Sequence, residues 1–145
     1  PRSTLFPYTT LFRSQHTHAR AGWGSEEMET QKMCELIAEL RLSAMEPALR
    51  KAYANDCEDI RRPVCGALAA LGDPEALLQL RRFAFEGEAL VRSGSIRMLA
   101  LAGDTASIPA LQAALKDREP WVQKSAQEAI LKLETVQTNS AATKP

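Results

Sequence analysis

Aromatic residues are scarce, 6% of 145, which argues against a β-sandwich core and leaves no platform of rings on which nucleic-acid bases could stack. Neither sign of charge is in excess. With 18 basic and 18 acidic residues and a pI near 7.2, no global field draws the chain to nucleic acid or to an anionic membrane, so neither is expected as a partner. The three cysteines are odd in number, no secretory leader is visible, and no apolar run approaches the roughly 18 residues of a membrane span. A soluble protein of a reducing, cytoplasmic compartment is the expectation. What is abundant is Ala and Leu within a 45% hydrophobic chain, a composition suited to closely packed helices and to one domain of ordinary size.

The first fourteen residues, PRSTLFPYTTLFRS, resemble the translation of a short-read sequencing adapter, and residues 1–14 are set aside as an adapter-derived artefact. Residues 15–27 read as a lead-in that is disordered or untranslated. Met28 is then a candidate start, and a missing upstream repeat or domain is the alternative.

The rest of the chain repeats. Leu71, Gly72, Asp73 recurs 31 residues later as Ala102, Gly103, Asp104, and Ile60, Arg61 recurs as Val91, Arg92 and then Val122, Gln123. Cys34, Cys65 and Ile96 hold one column of this register. Ile37, Leu68, Leu99 and Ile130 hold another; Leu49, Leu80 and Leu111 a third, and Pro47 stands two periods before Pro109. Within each period the apolar residues follow helical spacing on two segments joined by a Gly-Asp turn, so each period is a helical hairpin. Gly72 suits the left-handed position at the end of a first helix, Asp73 the N-cap of the second, and Pro74 its first turn. Gly103 and Asp104 repeat the pattern, with Pro109 tightening the start of that second helix.

These strings, VRSGSIRMLALAGDTASIPALQAALKDREPWVQKSAQEAILKLE and IRRPVCGALAALGDPEALLQLRRFAFE, resemble HEAT repeats of the short type named after phycobilisome lyases. The resemblance spans about residues 29–134. It implies an all-α, right-handed α-solenoid of about three and a half hairpins over residues 28–135, with the second helices lining a concave binding face. It also implies an adaptor or scaffold role, and it carries no catalytic residue over to this sequence. Some relatives are subunits of bilin lyases, so the alternative is an accessory subunit or regulatory domain of an enzyme that handles a chromophore, with catalysis elsewhere.

Both ends of the repeat degenerate. Gln127 and Glu134 replace the Cys34 and Gly72 columns, as a terminal capping helix requires, and ETVQTNSAATKP offers so little apolar surface that residues 136–145 are expected to be a disordered tail. Glu29 and Arg41 break the Ile60 and Gly72 columns at the other end.

Site chemistry is thin. His16 and His18 lack a nearby ligand cluster, Cys34 and Cys65 read as buried core thiols, and Cys57 has acidic neighbours that disfavour a thiolate. No cofactor, metal or catalytic residue is expected, and the chain is not read as an enzyme. Arg61 and Arg92 read as ladder residues, with Asp73 and Asp104 as local partners. Trp121 reads as a cover on the last hairpin. The best functional signal is a basic column on the second helices: Arg50 aligns with Arg81 and Lys51 with Arg82, while Phe83 and Phe85 could supply an apolar anchor. That patch points to a protein partner with an acidic segment.

Overall fold

A computed structural model describes residues 25–54 and 58–142; Pro1–Ser14, His16, His18 and Cys57, with the expectations attached to them, lie outside that range. The described residues form an all-helical stack: α1 (Ser25–Glu39), α2 (Glu46–Tyr53), α3 (Glu58–Ala70), α4 (Pro74–Glu86), α5 (Ala89–Ala102), α6 (Ile108–Ala114) and α7 (Pro120–Ala142). The aligned columns form the core. Cys34, Cys65 and Ile96 are wholly buried, as are Leu49, Leu80 and Leu111 and the Leu99 of the Ile37 column. One contiguous apolar cluster runs from Cys34 to Leu133.

The turns follow from local chemistry. Gly72 and Gly103 adopt φ of +102° and +75°, and after each the backbone closes in the same way: Gly72 N–H donates to Ala69 O and Asp73 N–H to Leu68 O, as Gly103 does to Ala100 O and Asp104 to Leu99 O. This is the Schellman closure that a left-handed residue permits. Asp73 then accepts from the backbone N–H groups of Glu75 and Ala76 at 3.0 and 2.9 Å and starts α4 as its N-cap. Where proline falls later in the second helix the start tightens instead. Short 3-10 turns at Ser43–Met45 and Thr105–Ser107 precede α2 and α6, ahead of Pro47 and Pro109.

Arg41, at the glycine position of the first hairpin, departs from the column without breaking the turn. It takes φ of +50° and makes the same closure, Arg41 N–H to Ala38 O and Leu42 N–H to Ile37 O. A non-glycine residue here costs roughly 1 kcal/mol, and its side chain offsets that cost. The guanidinium donates to Ala70 O at the end of α3 and to Leu101 O, at 3.0 Å, at the end of α5, so a cation sits on the negative ends of two helix dipoles. Arg41→Ala is expected to lower stability by about 1–2 kcal/mol. Arg41→Gly, which loses the clamp but relieves the backbone, is expected to recover roughly half of that in urea unfolding.

The curvature differs from what the resemblance implies. The first helices α1, α3, α5 and α7 pack side by side, and α1 reaches past α3 to α5, where Arg97 donates to Glu35 at 2.5 Å. α2 with α4, and α4 with α6, pack far less than neighbouring first helices do. The layer that draws together is therefore that of the first helices, and the second helices splay. Close approach is possible because Gly66 on α3 faces Met98 on α5: a Cβ at residue 66 would stand 2.6 Å from Met98 Cε. At the carboxyl end, helix α7 continues to Ala142, so most of the stretch expected to be a disordered tail is helical, with Thr135 and Thr138 donating back to Lys132 O and Thr135 O. Ser25–Glu27, expected in the lead-in, belong to α1.

Candidate functional site

The second helices carry the residues singled out by sequence: Arg50 and Lys51 on α2, and Arg81, Arg82, Phe83 and Phe85 on α4. Their roles separate. Arg81 makes two bonds to Asp104, Nε to Oδ2 at 2.8 Å and Nη2 to Oδ1 at 2.6 Å. Arg50 donates to Asp73 at 2.9 Å and to Glu46 on its own helix. Each arginine thus reaches from one second helix to the aspartate that begins the next hairpin's second segment, forming a ladder between neighbouring hairpins. Lys51 and Arg82 are exposed and have no ion pair among the described residues.

Arg92 also belongs to a ladder, though not with the partner that sequence suggested. It donates to Asp117 at 2.8 and 3.1 Å and to Gly87 O at 2.7 Å, while Asp104 is taken by Arg81 and Asp73 by Arg50. The aspartates respond electrostatically. Burial alone would raise the Asp104 carboxyl, but bonds from Arg81 and Ser107 outweigh it and hold the group below its ordinary value. Asp73 is lowered chiefly by the Ala76 N–H and Asp117 by the Glu119 N–H, each helped by its arginine. A carboxyl depressed in the folded state binds protons less readily than in the unfolded chain. The stability these groups contribute is therefore complete above the unfolded carboxylate range and is lost as pH falls through the folded values. Urea midpoints taken from pH 7 downward are expected to fall with acid, and less steeply for Asp104→Asn than for the wild type.

Phe83 and Phe85 are half-buried and pack against the core. Phe85 nevertheless shares an open, shallow depression on α4 with Leu78, Arg81 and Arg82, between Glu75 and Glu86. Leu78, which sequence reading passed over, is 61% exposed, and its spacing to Arg82 and Phe85 puts all three on one helical face. That spacing was the signal available for finding it.

The remaining candidates have structural places. Cys34 and Cys65 are buried and free; burial pushes both thiols up to about 12, far from the thiolate a nucleophile needs. Cys65 Sγ donates to Ala76 O at 2.9 Å. Trp121 is half exposed at the start of α7, so it covers its hairpin only in part. Among the described residues no group of three His, Cys, Asp or Glu could hold a metal ion, and no helix is long and apolar enough to cross a membrane.

No curated protein matches this chain. Residues 91–117 match the family model described as the PBS lyase HEAT-like repeat. That stretch holds the whole of α6, the Gly103-Asp104 turn and both members of the Arg92–Asp117 pair, so the chain carries a HEAT-like repeat of this type, built around that turn and ladder.

Proposed function

We propose that the stack is a noncatalytic protein-interaction module that holds an acidic segment of a partner protein on its second-helix layer. Lys51 and Arg82 would meet the partner's carboxylates, and Leu78 and Phe85 its apolar side chain. The observation that carries this reading is the shared face of Leu78, Arg82 and Phe85, which puts an uncommitted cation beside exposed apolar surface on α4. HEAT-like repeats generally serve as interaction scaffolds, and such arrays present extended surfaces. The surface lies on the splayed side of the stack, away from the side on which the first helices close.

Arg50 and Arg81 are unsuitable as probes because they bind Asp73 and Asp104. The test therefore uses Lys51→Glu with Arg82→Glu, both at exposed positions. Immobilised wild type is expected to retain a protein from the source lysate that the double variant releases, with helical circular dichroism and melting unchanged. Equal retention by the two would refute the reading.

A further inference from the structure

Two adjacent residues of α5 each cost the fold stability without a packing reason. Gly94 stands inside the helix, where alanine is intrinsically favoured, yet a Cβ there would meet nothing within 4 Å. The close neighbour that explains Gly66 is absent at Gly94. Ser95 is 3% exposed, and its hydroxyl is buried without a hydrogen-bond partner among the described residues, an arrangement that destabilises a fold. Both residues line one crevice of about 160 Å³ between α3 and α5. Residue 94 is what leaves it open. At the equivalent place between α5 and α7 the hydroxyls of Ser93 and Ser125 meet at 2.8 Å and join the helices. One period earlier the same pair is Arg62 and Gly94, so α5 has no side chain with which to complete the bond.

We propose that this crevice binds a phosphate group. Its lining carries two guanidinium groups, Arg62 and Arg97, and no carboxylate. Each arginine has an acidic neighbour, Asp59 at 3.2 Å and Glu35 at 2.5 Å, but neither acid lines the crevice. A guanidinium carries five N–H donors, so the bond of Arg97 to Glu35 leaves it donors for a second anion. The Ser95 hydroxyl is the inner donor. Donors on three separate side chains suit the tetrahedral oxygens of phosphate better than a planar carboxylate, and charge-assisted bonds from arginine offset the ion's desolvation. Met98, also on the lining, is buried and apolar, which strengthens each polar contact beside it. The volume equals about five waters at roughly 30 Å³ each, enough for the ion with part of its hydration. Gly94 then has a reason, since a side chain there would enter the space the ion takes. The two stability costs serve one site, which belongs to the first-helix layer and is independent of the α2–α4 surface.

Inorganic phosphate and methyl phosphate, titrated separately into the full chain at fixed ionic strength, test this through the amide NMR signals of Gly94 and Ser95. Both signals are expected to shift and saturate with phosphate and to stay in place with sodium chloride. Tighter binding of inorganic phosphate assigns the site to the free ion, and tighter binding of the ester to the phosphate group of a larger molecule; either supports the proposal. Gly94→Met, a good helix former whose side chain enters the crevice, should abolish saturation at Ser95 while raising the melting temperature. Ser95→Ala should weaken binding by about tenfold with the melt held or raised. Because neither variant removes a packing contact, lost binding is separable from lost structure. Lys51→Glu with Arg82→Glu, on the other layer, should bind phosphate as the wild type does. No saturable shift with either phosphate, unchanged binding by Gly94→Met, or loss of binding in the Lys51 and Arg82 double variant would each overturn the proposal.

Discussion

Arg81→Glu is expected to destabilise the protein by about 3 kcal/mol, while Arg82→Glu, one residue along the same helix, changes stability by less than about 0.5 kcal/mol. The contrast follows from where the two guanidinium groups end. Arg81 holds both oxygens of Asp104, whose side chain is 5% exposed, and Ser107 donates to the same carboxylate. Replacing the arginine with a second carboxylate leaves Asp104 buried beside a like charge. Removing one member of a buried pair costs about 3–5 kcal/mol; the lower end applies because a third of the Arg81 side chain remains in solvent. Arg82 projects into solvent and leaves no buried group behind. Chemical unfolding at pH 7 measures both variants. Asp104→Asn in the Arg81→Glu background is expected to recover part of the loss, since a neutral amide removes the repulsion. Equal effects at the two positions would mean that Asp104 is not held by Arg81 in solution.

This distinction was only partly legible in the sequence. The period, the hairpins, the Gly72 and Gly103 turns and the Asp73 cap all follow from residue types whose backbone consequences are local: glycine at positive φ, aspartate ahead of free N–H groups, proline in a first turn. The ladder is not local. Arginine has a long side chain that spans hairpins, and alignment paired Asp73 and Asp104 with Arg61 and Arg92 while it read Arg50 and Arg81 as a binding column, whereas Arg50 and Arg81 are the residues that hold these aspartates. The shared column shows that Arg50 and Arg81 are equivalent without showing where they reach. Arg41 illustrates the same limit from the other side. Its break in the glycine column reads as degeneracy, whereas the folded chain takes the left-handed turn at Arg41 and uses the side chain to clamp α3 and α5.

The closeness of α3 and α5 was also beyond sequence, and a small residue stands at their contact. Gly66 lies inside α3, where intrinsic propensity favours alanine by about 1 kcal/mol, so Gly66→Ala would stabilise an isolated helix. In the folded chain the added Cβ would meet Met98 Cε, Cγ and Cβ at 2.6, 2.8 and 2.9 Å. The Cε could swing away, but the Cγ and Cβ are tied to α5, and Met98 is 1% exposed. Overpacking of about 1–3 kcal/mol therefore outweighs propensity, and Gly66→Ala is expected to destabilise by about 1–2 kcal/mol.

Met98→Ala alone is expected to cost about 2–5 kcal/mol through lost contacts and the cavity left behind. The two changes should not add. With Met98 truncated, the new methyl group on α3 meets only the one methyl that remains on α5, and part of the vacated space is refilled. The double variant is then expected to be at least about 1 kcal/mol more stable than the sum of the single effects. Unfolding free energies of the four proteins in the cycle supply the test. A coupling near zero would mean that α3 and α5 part readily enough to admit a methyl group. The close approach at Gly66 would then be a consequence of the curvature, set by the reach of Arg41 and Glu35 across the first-helix layer, and not its cause.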